Sequence, residues 1–124
     1  MMQYSTTPGA QGICPTGFHI PTDAEYTILS DTILGGEEFA GDEIKSAGLC
    51  NGRTPCATSG FNGLLGGYDY SGSWYNLSSY GHFWTSSQSD TSESRRRLLG
   101  LTTAQVYRDA FGKTNGISVR CIKN

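Results

Sequence analysis

The sequence predicts an α+β domain in which two short helices precede several antiparallel strands, with disulfides closing the chain. Three observations predict it. Helical spacing follows a marked helix start at Thr22, the last third of the chain turns aromatic and strand-like, and cysteines stand at Cys14, Cys50, Cys56 and Cys121.

The chain has 124 residues, enough for one hydrophobic core but not two. Hydrophobic residues make up only 36%, while glycine contributes 17, which suits a loop-rich fold held by turns. Residues 1–11 are polar and read as a linker or edge segment, leaving 12–124 as the domain. A formal charge of −2 argues against a nucleic-acid or membrane-surface binder. No apolar run approaches the ~18 residues that cross a bilayer. The opening MMQYSTTPGAQG lacks the basic and apolar regions of a signal peptide. That leaves a cytosolic protein or a mature fragment, and the cysteines favour the fragment.

Four cysteines allow three connectivities. No pair of C-x2-C motifs offers a zinc site. Cys50 and Cys56 flank the turn-rich NGRTP and suit a short closed loop, while Cys14 and Cys121 suit a tie between the two ends. The competing reading, four free buried thiols, fits a Gly-rich chain of this size less well.

Each element has its own signal. Residues 12–20 form a short extended segment broken by a Pro15–Gly17 turn. Thr22 and Glu25 make a capping box behind Pro21. Ala24, Ile28, Leu29 and Leu34 then recur at helical spacing until Gly35–Gly36, which places the first helix at about 23–34. A second helix is expected within residues 36–48, with Phe39, Ala40 and Ile44 on one face and Gly41 as a weak point. Residues 49–72 read as loop. Trp74, Tyr75, Tyr80, Phe83 and Trp84 suit half-buried strands. Further strands are expected at 95–101 and 105–111. A last one at 116–122 would set Ile117, Val119 and Cys121 on one face.

Catalytic and metal signatures are absent: there is no G-x-S-x-G, HExxH or phosphate loop. His19 reads as a packed or edge-strand histidine, and His82 as a surface-loop one. Arg95–Arg96–Arg97 alternates faces on a strand, which makes it a source of structural ion pairs rather than a nucleic-acid patch. Asp69, Asp90 and Glu93 are scattered without calcium-loop spacing. No cofactor or metal is expected.

The blocks together resemble a known family. Ile13–Glu25 (ICPTGFHIPTDAE), Gly60–Phe61–Asn62, Leu65–Gly66–Gly67–Tyr68, Phe83–Ser87 (FWTSS), Val106–Tyr107–Arg108, Lys113–Gly116 (KTNG) and Ser118–Cys121 (SVRC) are similar to blocks of the Fibrobacter succinogenes major paralogous domain family. The resemblance implies a C-type-lectin-like fold with the chain ends close together, as a module of a larger secreted or cell-surface bacterial protein. It further implies kinship with the variable proteins of diversity-generating retroelements. Their C-terminal segment varies at adenine-rich codons, which do not yield Lys, Glu, Gln, Met or Trp. The positions between the family's frame blocks are Asp69, Tyr70, Ser71, Tyr75, Asn76, Ser79, Tyr80, His82, Arg96, Leu98, Gly100, Leu101, Thr103, Tyr107, Asp109, Ala110, Phe111 and Gly112. All carry residue types reachable from such codons.

This set is the expected ligand-binding face, directed at a protein or other macromolecule. Within it Tyr75, Tyr80, Arg96, Leu98, Tyr107 and Phe111 are expected to be exposed. The frame residues Trp84, Leu99, Val106, Val119 and Cys121 are expected to be buried. Arg95 stands where the family usually has an aromatic residue, Phe83 where it has a second tryptophan, and Cys50–Cys56 is this chain's own feature. Three alternatives accompany the binding module, one of them a purely structural module of a cell-surface fibre or multidomain adhesin. A carbohydrate-binding lectin would use Glu-Pro-Asn, Gln-Pro-Asp or Trp-Asn-Asp for calcium, and none occurs here. A relative of formylglycine-generating enzymes would need reactive thiols.

Overall fold

The computed structural model describes residues 5–124. Its strands form three small antiparallel sheets. β1 (Phe18–His19) pairs with β7 (Ile122–Lys123), β2 (Tyr68–Tyr70) with β3 (Ser73–Tyr75), and β4 (Tyr80–Gln88), β5 (Glu93–Gly100) and β6 (Val106–Gly112) form the largest sheet with β5 in the centre. The expected α+β class holds.

Helix α1 (Asp23–Thr27) starts where the sequence places it. The Thr22 hydroxyl accepts from the Glu25 N–H at 3.1 Å, and the Glu25 carboxylate accepts from the Thr22 N–H at 2.8 Å. The predicted helix then changes form, for Ile28–Ile33 is π-helical. The buried face also differs from the expected one: Tyr26 and Ser30 are buried, whereas Ala24 and Ile28 are exposed. Helix α2 is shorter than predicted, spanning Ala40–Ile44, and Phe39 lies outside it and exposed. Gly41 is required by packing: a Cβ there would sit 2.6 Å from the Ala104 carbonyl oxygen, to which the Gly41 N–H donates at 2.7 Å.

Tyr26, Ala40, Ile44, Leu65, Phe83, Leu99 and Val106 form the core between the helices and one face of the large sheet. Burying each of these larger side chains contributes about 1.5–3 kcal/mol. Arg97 joins them at 1% exposure, donating to the carboxylate of Asp23, to the Asp23 carbonyl at 2.9 Å and to Thr27 Oγ1 at 2.9 Å. The strand thus anchors itself to the first turn of α1.

Both disulfides form as read from the sequence, Cys14–Cys121 and Cys50–Cys56. The first brings the Cα atoms of its cysteines to 5.8 Å across a separation of 107 residues. The predicted strand at 116–122 is mostly irregular. Gly116 and Ser118 make single bridges to Asp69 and Phe83, and regular pairing begins only at Ile122. Its alternation survives, with Ile117, Val119 and Cys121 half-buried while Ser118, Arg120 and Ile122 are exposed. Val119 and Cys121 are therefore less buried than expected of frame residues. Part of the expected linker lies outside the described residues. Closer to the domain, the Gly9 N–H donates to Ser86 Oγ at 2.7 Å and the Ala10 carbonyl accepts from Ile20 at 3.0 Å.

Candidate binding face

The strand register decides which side chains share the outer face of the large sheet. Tyr80, His82 and Trp84 lie opposite Gly100, Leu98 and Arg96, and Leu98 and Arg96 lie in turn opposite Tyr107 and Asp109, with Phe111 opposite Ser94. Paired residues point the same way in an antiparallel ladder. Arg96, Leu98 and Gly100 therefore sit together on the face opposite Arg97 and Leu99. Gly100 is buried, a Cβ there lying 3.2 Å from the Tyr80 ring.

The β2–β3 hairpin lies over one side of this face. Its turn places Ser71 and Gly72 at φ 52° and 82°, as a tight two-residue hairpin requires. Asp69 accepts from the Gly72 N–H at 2.9 Å. Gly67 has φ 64°, and a Cβ there would lie 2.2 Å from the Tyr75 carbonyl oxygen. The Tyr68 ring stacks on Tyr75 at 5.3 Å and meets the edge of Phe111 at 5.3 Å and His82 at 5.2 Å.

Beneath these rings lies a polar support. The Arg96 guanidinium donates to both carboxylate oxygens of Asp109, at 2.7 and 3.0 Å, and packs 3.7 Å from the centre of the Phe111 ring. It also donates to His82 Nδ1 at 2.8 Å. Arginine has no acceptor to offer, so Nδ1 must be the accepting nitrogen and the imidazole proton sits on Nε2. Burial, reinforced by the Arg96 charge, pushes the His82 pKa down to about 4 and keeps the ring neutral.

The expected set thus divides by depth. Tyr70, Ser71, Tyr75, Asn76, Ser79, Tyr80, Tyr107 and Asp109 are exposed. Asp69, Leu98, Leu101, Thr103, Ala110, Phe111 and Gly112 are half-buried. His82 is 2% exposed and Arg96 9%, which corrects the surface-loop reading of His82 and the expected exposure of Arg96. Both lie on paired strands and are roofed by the Tyr68 and Phe111 rings. Leu98 and Phe111 are likewise less exposed than expected. Trp84, Leu99 and Val106 are buried as frame residues should be.

Two exposed apolar side chains beside the hairpin fall outside the expected set, Trp74 at 67% and Leu77 at 63%. The half-buried strand predicted for Trp74 is instead fully exposed on β3. The codon argument excluded Trp74, and exposed Leu77 follows the last hairpin strand in a segment with no periodicity.

Elsewhere, His19 lies on β1 between Glu25 at 2.9 Å and Asn124 at 2.6 Å. That is an edge-strand histidine joining α1 to the chain end. Among the described residues no three His, Cys, Asp or Glu side chains cluster as metal ligands. No helix there is long and apolar enough to cross a membrane.

The fold and this face define a disulfide-stapled α+β domain that presents exposed aromatic side chains on a braced sheet. The chain belongs to the Fibrobacter succinogenes major domain family, whose model matches residues 2–123. No curated protein and no solved structure matches it.

Proposed function

We propose that this domain is a non-catalytic binding module of C-type-lectin-like fold that recognises a protein or other macromolecule through the β2–β3 hairpin and the outer face of β4–β6. The observation that carries the reading is the exposure of Tyr70, Tyr75, Tyr80 and Tyr107, with Trp74 and Leu77 exposed on the same stretch of chain. Trp74 pairs with Asp69 and so projects from the hairpin face opposite Tyr70 and Tyr75. Large apolar side chains left in water beside one another mark interaction surfaces. The stretch YSGSWYNLSSY at 70–80 also has the Tyr, Ser, Gly and Asn composition of binding loops, in which rigid aromatics give contact area and small polar residues give adaptable hydrogen bonds. It contains no charged residue, which favours an uncharged partner surface.

Two disulfides suit an extracellular or cell-surface setting within a larger protein. They also weigh against a formylglycine-generating type of enzyme, because no cysteine is free. The interspersed positions have the composition of a retroelement variable protein, with the exposed ones as contacts.

The test sets the immobilised domain against a panel of bacterial and host surface proteins and a neutral and charged glycan array. Trp74→Ala, Tyr75→Ala and Tyr107→Ala should each shift stability by under about 0.5 kcal/mol. At least one should weaken binding by about tenfold or more. A ligand retained by all three variants at full affinity would refute this face. A hit confined to glycans would move the reading to the lectin alternative.

A further inference from the structure

The β5–β6 loop, Leu101–Gln105, borders the binding face and is gripped from behind in an unusual manner. Lys45 Nζ donates to the Gly100 carbonyl at 2.6 Å and the Thr103 carbonyl at 2.8 Å. Arg53 Nη2 donates to the Leu101 carbonyl at 3.0 Å, and the Gly41 N–H donates to that of Ala104 at 2.7 Å. Every one of these acceptors is a main-chain oxygen. The grip is therefore indifferent to which side chains the loop carries.

Asp42 organises the donors. Its carboxylate accepts from Lys45 Nζ at 2.7 Å, from Arg53 Nε at 2.6 Å and from Arg53 Nη2 at 2.9 Å. Lys45 is wholly buried and Asp42 nearly so. Arg53 comes from outside this core, midway along the loop that Cys50 and Cys56 close. That loop folds back on itself and on α2: the Arg53 N–H donates to the Cys50 carbonyl at 3.0 Å, and the Ala57 N–H donates to the Asp42 carbonyl at 2.9 Å. A long, flexible arginine on an open segment would lose much conformational freedom on reaching Leu101. On a closed loop most of that ordering is already in place.

We propose that the Cys50–Cys56 loop is a clamp that fixes the β5–β6 loop for binding, with Arg53 as its positioning residue. This assigns a role to the one disulfide that the family resemblance does not explain. The clamp itself makes no demand on the side chains of Leu101, Thr102 and Thr103. Two of these have their own tasks in the loop: Leu101 packs against the core and Thr103 Oγ1 accepts from the Gln105 N–H. Its purpose rests on the binding-face reading, but its existence does not, so the test uses the ligand-free protein.

Amide hydrogen exchange by NMR would follow three reporters: Leu101, whose N–H donates to the Ser79 carbonyl, Gln105, which donates to Thr103 Oγ1, and Gly41. Arg53→Ala and the paired change Cys50→Ser with Cys56→Ser should each speed these three amides by about tenfold. Amides inside the β4–β5 ladder should keep their protection. Arg53→Lys should fall between, since an ammonium cannot span Asp42 and Leu101 as the guanidinium fork does. Combining Arg53→Ala with the cysteine changes should add nothing further, because both break one device. Unchanged reporters in Arg53→Ala, equal acceleration throughout the ladder, or multiplying effects in the combined variant would each overturn the proposal. None of these outcomes bears on the ligand panel, so the two readings fail separately.

Discussion

Replacing Asp23 by Asn should unfold this domain more readily than any surface change, and the reason lies in Arg97. The Arg97 side chain is 2% exposed and Asp23 13%, so the guanidinium has little water to fall back on. Its Nε already lacks a partner. Removing one member of a buried ion pair costs about 3–5 kcal/mol, because the other charge stays behind uncompensated. Asp23→Asn keeps the Asp23 main-chain carbonyl and Thr27 Oγ1 as acceptors, which places the expected loss near the lower bound, at about 3 kcal/mol. Arg108 pairs with the same carboxylate but is 46% exposed. Arg108→Ala should therefore cost only about 0.5 kcal/mol.

The pH dependence supplies a second check. Burial raises the Asp23 pKa, but hydrogen bonds from Arg108 and Arg97 outweigh it and hold the carboxyl below its ordinary 3.8. A depressed carboxyl contributes stability that is complete above the unfolded value and lost as pH falls through the folded one. Urea unfolding at neutral pH should show the full gap between wild type and Asp23→Asn. The gap should shrink once the pH is well below 3.8. A loss under about 1 kcal/mol at neutral pH, or a gap that persists undiminished in acid, would refute the assignment of Arg97 as a charge dependent on Asp23.

Two further outcomes follow from the frame. Thr22→Ala removes the acceptor for the Glu25 N–H and should lower stability by about 1 kcal/mol in thermal unfolding; an unchanged midpoint would mean that another group caps α1. Cys14→Ser with Cys121→Ser opens a closure spanning 107 residues and should cost about 4–5 kcal/mol in the chain-entropy model. Denaturant titration should rank this above loss of the short Cys50–Cys56 loop, and the reverse ranking would contradict the entropic account.

The elements legible in the sequence were those with a local cause. Thr22 and Glu25 satisfy each other within one turn, so the helix start needed no tertiary information. The alternation of Arg96, Leu98 and Gly100 against Arg97 and Leu99 follows from strand geometry alone, as does that of Ile117, Val119 and Cys121. What escaped was set by distant partners. Tyr26 and Ser30 are buried in place of the expected Ala24 and Ile28. Helix α2 stops at Ile44 because Lys45 adopts an extended backbone to bridge Gly63, a contact no periodicity encodes. The buried Lys45, Asp42 and Arg53 network was equally silent, since a lysine in sequence looks like a solvated residue until a loop closes over it.

The outer face of the large sheet shows how pattern and depth part company. Alternation assigns a side chain to a face of a sheet, but it carries no information about what is laid over that face. Here the β2–β3 hairpin roofs one side of it with Tyr68, and Phe111 from β6 covers Arg96. Positions that look equivalent in sequence thereby acquire different physics. Tyr70, Tyr75 and Tyr107 end in solvent. His82, Arg96, Asp109 and Phe111 are joined by hydrogen bonds and a guanidinium–ring contact, so a change at one leaves another with an unpaired donor or an open gap. Substitutions in the first group should therefore add independently in stability, whereas those in the second should be coupled. The outer tyrosines are free to change with little effect on the packing below them, while the relief of the face is set by a network in which buried His82 and Arg96 are held by exposed Asp109 and half-buried Phe111.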